Sequence, residues 1–191
     1  VVVCALAGSL RNYLLKQDGQ LLDKNLLAVI PVSMRAEQDW NPGNKVTAVW
    51  LWLPVDVADP LERLEIVKKR MAQLKNGIDA PFGYAWANVA AKIPMMLNPH
   101  VFKWFLHKSH VVFTNVPGPR EPLFFAGEKI ESYIPFIPQA GKGGMGVALL
   151  SYADKISISV LTDKGNIQPK DAITSEFVRQ IQGMLEVARE S

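Results

Sequence analysis

The chain has 191 residues, 49% of them hydrophobic, which is enough for one domain with a substantial core. Its 21 basic and 18 acidic residues give a net charge of +3 and are interspersed, which argues against nucleic-acid binding. The single cysteine, Cys4, excludes an internal disulfide and is predicted to be a small core residue.

No uncharged apolar run approaches the ~18 to 20 residues of a membrane span, so no transmembrane segment is predicted. The chain begins inside a hydrophobic pattern, without a methionine or a charged leader. We therefore expect a piece of a longer protein, with residues 1–191 forming a single domain.

The first elements are predicted to be a helix and two strands. Apolar residues recur at helical spacing over residues 1–16 and predict a buried helix ending near Gly19. Residues 26–35 form an apolar run that is typical of a buried strand, and Arg35 emerges where this strand ends. A turn-rich loop then leads to a second apolar strand over residues 46–55.

A well-marked helix start follows. Asp59 can accept hydrogen bonds from amides of the first turn, Pro60 fits the first helical position, and Glu62 can reach back as in a capping box. Apolar residues then repeat every three or four positions until Asn76 and Gly77 close the helix.

Two more helices are predicted over residues 81–97 and 98–109. Their methionine and aromatic side chains can line an acyl-chain tunnel, touch a lipid surface, or pack as a pair in the core. The lipid-surface interpretation places Lys103 and Lys108 near anionic headgroups and Trp104 at the interface.

The most informative stretch comes next. The β-branched and aromatic residues 111–114 predict a buried strand. The Pro-Gly-Pro sequence at 117–119 stiffens its exit, because the prolines fix φ and Gly118 permits positive φ. Thr114 and Asn115 therefore present polar groups at a rigid strand end, as in a substrate site. The alternative is a structural turn in which Asn115 bonds its own backbone.

The last third of the chain is predicted to be mostly strand. Residues 123–125 and 130–137 form short strands, residues 145–153 and 155–163 form a hairpin, and residues 169–190 form a closing amphipathic helix. The order of elements predicts an α/β sandwich with a mixed sheet flanked by helices.

Motifs for metal and phosphate binding are weak. His100, His107 and His110 have no acidic residue between them and are better explained as surface or helix-end histidines than as a metal site. Glycine-rich residues 141–146 are followed by a strand, so they lack the helix that a phosphate cradle needs. Within them, Lys142 is a candidate contact for a phosphorylated cofactor.

Four segments together resemble the C-terminal domain of the wax ester synthase/diacylglycerol acyltransferase (WS/DGAT) family of bacteria and plants. The resemblance covers almost the whole chain, and the segments lie in the family's order. They are residues 31–35 (PVSMR), the Gly43-Asn44 loop with Leu53-Pro54 downstream, residues 115–119 (NVPGP) and residues 150–158 (LSYADKISI).

The resemblance implies a chloramphenicol-acetyltransferase-like fold made of two similar halves, with the active site in a tunnel between them and this chain as the second half. It implies transfer of a fatty acyl group from acyl-CoA, a co-substrate, to a long-chain alcohol or diacylglycerol, without a permanent cofactor. In that family a histidine of an H-H-x-x-x-D-G motif removes the alcohol's proton. The motif is absent here, so we expect no catalytic residue in this chain and inactivity of the chain alone.

The candidate substrate-binding residues are Thr114, Asn115, Pro117 and Gly118, with Thr114 or Asn115 donating to the developing oxyanion. The expected partners are the N-terminal half, acyl-CoA, the alcohol or diacylglycerol, and a membrane or lipid-droplet surface on the cytoplasmic side. Two alternatives stay open. One is a non-catalytic lipid-surface or scaffold module of the same fold, and the other is half of a peptide-synthetase condensation domain.

Overall fold

The computed structural model describes residues 1–19, 26–35, 46–77, 109–137, 144–163, 165 and 171–190. The helices in these ranges are α1 (Val2–Asp18), α2 (Pro60–Asn76) and α3 (Ala172–Glu190). The strands are β1 (Leu26–Ser33), β2 (Val46–Leu53), β3 (Val111–Pro117), β4 (Phe124–Phe125), β5 (Glu128–Lys129), β6 (Met145–Tyr152) and β7 (Lys155–Thr162). The helices predicted over residues 81–97 and 98–109, and Lys142, lie outside the described residues.

Five strands form one mixed sheet in the order β2-β1-β3-β6-β7. The three central strands are parallel to one another, and β2 and β7 pair antiparallel at the two edges. The predicted mixed sheet with flanking helices is therefore confirmed. Because β1, β3 and β6 run in the same direction, their carboxyl ends meet at one edge of the sheet.

The helices cover one face of this sheet. Every residue from Val3 to Leu10 of α1 is buried, so the amino-terminal half of this helix is surrounded on all sides. Cys4 is fully buried in the hydrophobic core, as predicted. The helix ends where expected, since Gly19 adopts a left-handed φ of 66° and returns a hydrogen bond to Leu15.

The predicted start of α2 is also confirmed. The Asp59 carboxylate accepts a hydrogen bond from the Glu62 amide at 2.7 Å, and Pro60 is the first helical residue. This cap satisfies one of the amides that a helix start leaves without an intrahelical partner. The helix then ends at Asn76, before Gly77.

A polar network joins the three helices; we call it the helix junction, formed by Gly8, Asn12, Arg63, Glu176 and Gln180. The Gln180 side chain accepts from Arg63 at 2.8 Å and donates to Glu176 at 3.2 Å, and Glu176 also accepts from Asn12 at 2.6 Å. Arg63 and Glu176 are both buried. Gly8 leaves room for them, because a Cβ there would lie 2.8 Å from the Arg63 guanidinium and collide with the Gln180 amide.

The predicted strand over residues 130–137 is wrong. The sequence 123–125 does contribute β4, but β4 pairs with β5 in a two-residue hairpin apart from the main sheet. Residues 130–137 are irregular and alternate between exposed and half-buried side chains. An extended chain that lies along the protein surface gives the same alternation as a paired strand, and Pro135 removes a donor that pairing would need.

Candidate functional site

The carboxyl ends of β1, β3 and β6 form what we call the strand-end site. It contains Ser33 at the end of β1, Thr114 and Asn115 near the end of β3, and Ser151 near the end of β6. In sheets with parallel strands, ligands commonly bind outside the carboxyl ends, where neighbouring strands diverge. The site's position in the fold therefore suits ligand binding.

The central strands separate at this edge. β1 pairs with β3 only through Ala28 with Val111 and Val29 with Val112, although β1 continues to Ser33. By contrast, β3 pairs with β6 along its whole length, up to Pro117 opposite Ser151. Among the described residues, residues 113–117 of β3 consequently have no ladder partner on the β1 side, over about 16 Å at the usual rise of a strand.

His110 holds β1 and β3 together at the opposite end. Its amide donates to the Leu27 carbonyl at 2.9 Å, and its Nδ1 accepts from the Leu27 amide at 3.1 Å. Burial lowers the pKa of His110, which favours the neutral form that this acceptor role requires. This histidine is a structural link in the sheet, and the described residues contain no cluster of three potential metal ligands.

The turn after β3 is clamped onto the end of β6. The Gly118 amide donates to the Ser151 hydroxyl at 3.1 Å, and the Ala153 amide donates to the Pro119 carbonyl at 2.9 Å. Gly118 does not have positive φ, so the predicted reason for a glycine is wrong. The actual reason is close approach, because a Cβ at Gly118 would collide with the Ser151 carbonyl oxygen.

Thr114 and Asn115 lie side by side but face opposite sides of the sheet. Thr114 pairs in register with Ala148 and is half-buried, whereas Asn115 pairs with Leu149 and is exposed. Successive side chains of a strand point to opposite faces, so the two cannot donate to one ligand atom together. The side chain of Asn115 makes no hydrogen bond to a described residue, so its alternative explanation, a turn in which it bonds its own backbone, is not seen there.

An apolar pocket of about 160 Å³ lies on the helix-covered face, between β6, β7, α1 and α3. It is lined by Val2, Leu149, Ile156, Ile158, Phe177, Val178, Ile181 and Gln182. A volume of this order accommodates about one benzene-sized apolar group, so the pocket suits a short length of hydrocarbon chain. Asn115 does not line it, but its register partner on the neighbouring strand, Leu149, does.

Sequence analysis gave no role to Ser151 and Tyr152, which organise this edge. The Tyr152 hydroxyl accepts from the Leu123 amide at 2.9 Å and donates to the Ile130 carbonyl at 2.7 Å, so it fixes the base of the β4–β5 hairpin. The sequence contained one signal for them, since both residues lie at the end of an apolar strand, as Thr114 and Asn115 do. Of the predicted residues, those on β3 and its turn come together here, while Lys142 is outside the described chain.

The chain is similar to a known family and to proteins of that family. A family model described as the WS/DGAT C-terminal domain matches residues 42–185. A probable diacylglycerol O-acyltransferase of Mycobacterium tuberculosis is 32% identical over 168 residues, which cover 85% of this chain and 36% of that protein. The chain thus spans about two fifths or less of the length of the curated relatives it matches.

Solved structures give the same fold. A wax ester synthase/diacylglycerol acyltransferase from Marinobacter aquaeolei VT8 matches with a TM-score of 0.67 and 24% identity, over 95% of this chain and 41% of that one. The epimerization domain from the third module of tyrocidine synthetase B matches with a TM-score of 0.60 and 12% identity, over 100% and 42%. At these identities the likeness concerns the fold alone, and it confirms the predicted chloramphenicol-acetyltransferase-like architecture.

Proposed function

Because this chain belongs to the WS/DGAT family, in which it carries the C-terminal domain, we propose that it is the C-terminal half of an O-acyltransferase. The whole protein transfers a fatty acyl group from acyl-CoA to a long-chain alcohol or diacylglycerol and forms wax ester or triacylglycerol. The remaining part of the protein supplies the general base, and this chain supplies part of the acyl-binding surface.

The reaction needs a general base and hydrogen-bond donors from the protein. A base takes the hydroxyl proton of the alcohol while its oxygen attacks the thioester carbonyl, a C–O bond forms, and the C–S bond then breaks to release CoA as its thiol or thiolate. Hydrogen-bond donors stabilise the negative charge that develops on the carbonyl oxygen. These 191 residues contain no H-H-x-x-x-D-G motif that could supply the general base. Donation of a hydrogen bond to the oxyanion is the role of Asn115.

The observation that carries the proposal is a side-chain amide without a hydrogen-bond partner among the described residues, at the end of a central strand. Among these residues β1 and β3 pair only as far as Val29 and Val112, so no described strand pairs with Asn115 on the β1 side. Asn115 is exposed, and the strand that carries it is clamped to β6 as far as Pro117. A donor on a rigid element with its hydrogen-bonding capacity still free is what stabilisation of an oxyanion requires.

The apolar pocket between β6, β7, α1 and α3 is a candidate site for part of the hydrocarbon chain. Its lining is apolar apart from Gln182, and Leu149, which lines it, pairs in register with Asn115. A thioester whose carbonyl lies at Asn115 would therefore have this pocket one strand away. Longer chains then need the surface that the rest of the protein provides.

Attachment to a membrane or lipid droplet belongs to the same proposal. Its sequence-based support, Lys103, Trp104 and Lys108, lies outside the described residues. Among the described helices, none has the length and apolar character needed to cross a bilayer. The surface is tested by liposome flotation of the whole enzyme, which should weaken on Trp104→Ala and at high salt.

The experiment for the proposed function compares two asparagine variants of the whole enzyme. Asn115→Ala should lower kcat by ~10² or more, because one oxyanion donor is worth about 3 kcal/mol, and should leave the denaturation midpoint nearly unchanged. Asn12→Ala is the matched control. It deletes the same group from the helix junction, so it should lower the midpoint and leave kcat unchanged.

Two results would count against this function. Near-normal kcat with a lowered midpoint for Asn115→Ala would make Asn115 a structural residue and remove it from the site. A whole protein that binds lipid surfaces but never turns over acyl-CoA with an alcohol would favour the scaffold alternative.

A further inference from the structure

We propose that Ser151 is a positioning residue for acyl transfer: its hydroxyl holds the Pro-Gly-Pro turn and thereby fixes where Asn115 meets the thioester. This inference rests on the proposed role of Asn115. It assigns a function to a residue that touches neither substrate nor reacting atoms.

The first step concerns the donors of the turn. Pro117 and Pro119 have no backbone N–H, so Gly118 carries the only main-chain donor of residues 117–119. That donor goes to the Ser151 hydroxyl at 3.1 Å. The turn therefore has one side-chain anchor, and the anchor is Ser151.

The second step concerns the strand that carries Asn115. Beyond Val112, the described residues pair with β3 from one side only, that of β6. The last pair of that ladder joins Pro117 to Ser151, two residues after Asn115. Motion of the turn at Gly118 is therefore transmitted along a short, one-sided strand to the Asn115 amide.

The turn keeps an attachment to the sheet that does not depend on Ser151. A second contact ties the same turn to the hairpin after β6, because the Ala153 amide donates to the Pro119 carbonyl at 2.9 Å. Removal of the Ser151 hydroxyl leaves this bond and the β3–β6 ladder in place. The turn then stays attached but is free to shift by a fraction of an ångström, which harms catalysis more than stability.

The test uses single variants of the whole enzyme. Ser151→Ala should lower kcat about ten-fold with little change in KM for the acyl acceptor, and Ser151→Thr, which keeps the hydroxyl, should recover most of the loss. Ser157→Ala is the matched control. Ser157 is half-buried in the adjacent strand β7, and its hydroxyl makes no hydrogen bond to a described residue, so its loss should leave kcat unchanged.

A double-variant cycle identifies the route of the effect. If Ser151 acts through Asn115, then Ser151→Ala should change kcat by less than about two-fold once Asn115 is already alanine. An equal ten-fold loss in both backgrounds would overturn the inference, as would a normal kcat with a lowered denaturation midpoint for Ser151→Ala alone.

The inference and the proposed function fail in different ways. A large loss for Asn115→Ala without a loss for Ser151→Ala would overturn the positioning role and keep the oxyanion role. No loss for Asn115→Ala would overturn both.

Discussion

The helix junction and the strand-end site each contain a glycine that leaves no room for a side chain, yet the two places are crowded by different things. At Gly8 the obstructing atoms are the far ends of Gln180 and Arg63, which are flexible side chains. At Gly118 the obstructing atom is the carbonyl oxygen of Ser151, which belongs to the backbone of a paired strand. Side-chain ends can move aside, whereas a backbone carbonyl in a ladder cannot.

The two regions also differ in whether their polar side chains are hydrogen-bonded. In the helix junction, Arg63, Gln180, Glu176 and Asn12 are paired with one another, apart from the Arg63 Nε. At the strand-end site the Asn115 side chain is exposed and has no hydrogen-bond partner among the described residues. The junction therefore contributes to the stability of the domain, while the strand end keeps a solvated donor available for a ligand at little cost in stability.

The largest expected effect is that of alanine at Gly118, compared with alanine at Gly8. Gly118→Ala should lower the free energy of unfolding by about 3 kcal/mol and lower kcat sharply, because the turn must move off Ser151. Gly8→Ala should lower it by about 1 kcal/mol, since a gain in helix propensity offsets part of the lost Arg63–Gln180 hydrogen bond, and should leave kcat unchanged.

Denaturation midpoints and initial rates of both variants decide this comparison. If Gly8→Ala proved as damaging to kcat as Gly118→Ala, the two regions would not be separate in function. If Gly118→Ala kept full activity, the close approach to Ser151 would have no bearing on the site.

A second prediction concerns Glu176 and should have a smaller effect. Burial alone would raise the pKa of this carboxyl, but hydrogen bonds from Asn12 and Gln180 and the charges of Arg179 and Lys16 lower it, so the junction favours the carboxylate. Glu176→Ala removes the acceptor for two half-buried amides, those of Asn12 and Gln180, and should lower the free energy of unfolding by about 2 kcal/mol. The kcat of the folded enzyme should not change.

Glu176→Gln is the informative companion variant, because it keeps the shape and one acceptor oxygen. It should lie between wild type and Glu176→Ala in a urea titration. Loss of kcat in either variant while the protein remains folded would contradict the assignment of the junction to stability alone.

The smallest expected effect is acid sensitivity at the end of the sheet where His110 holds β1 and β3 together. Burial lowers the folded-state pKa of His110, so its neutral form contributes stability that is fully present above the unfolded value of about 6.5 and is lost as the pH falls through the folded value. His110→Asn keeps an acceptor at the δ position and removes this titration. The midpoint of the wild type should therefore fall more than that of His110→Asn between about pH 7.5 and about pH 5.5.

If the denaturation midpoints of the wild type and His110→Asn fell equally as the pH was lowered, the Leu27–His110 pair would have no part in acid sensitivity. Activity is not expected to follow this titration, because His110 lies at the opposite end of β3 from Asn115.

The elements that sequence analysis predicted correctly depend on local chemistry. Asp59 and Pro60 mark a helix start within four residues, and Gly19 marks a helix end, so neither needs knowledge of the fold. The apolar residues 111–114 mark a buried strand in the same local way. The opposite faces of Thr114 and Asn115 were also available from the sequence, because the side-chain period of a strand is two.

The features that sequence analysis missed depend on contacts between distant segments. Gly118 and Ser151 are 33 residues apart, and nothing near either residue indicates that one amide reaches the other hydroxyl. Residues 130–137 were misassigned because their alternating pattern records contact on one side, which a strand and an extended surface segment share. The separation of β1 from β3 is likewise a property of the assembled sheet.

The connection that His110 makes to Leu27 also bears on the order in which the domain can fold. These residues are 83 positions apart, so pairing β1 with β3 closes a long loop, and the entropy cost of closing it comes before the stabilisation from strand pairing. By contrast, β6 and β7 are joined by a two-residue turn. The β6–β7 hairpin and the capped helix α2 can form early from local contacts. Because the pairing of β1 with β3 needs that long loop to close, we expect it to form after these local contacts.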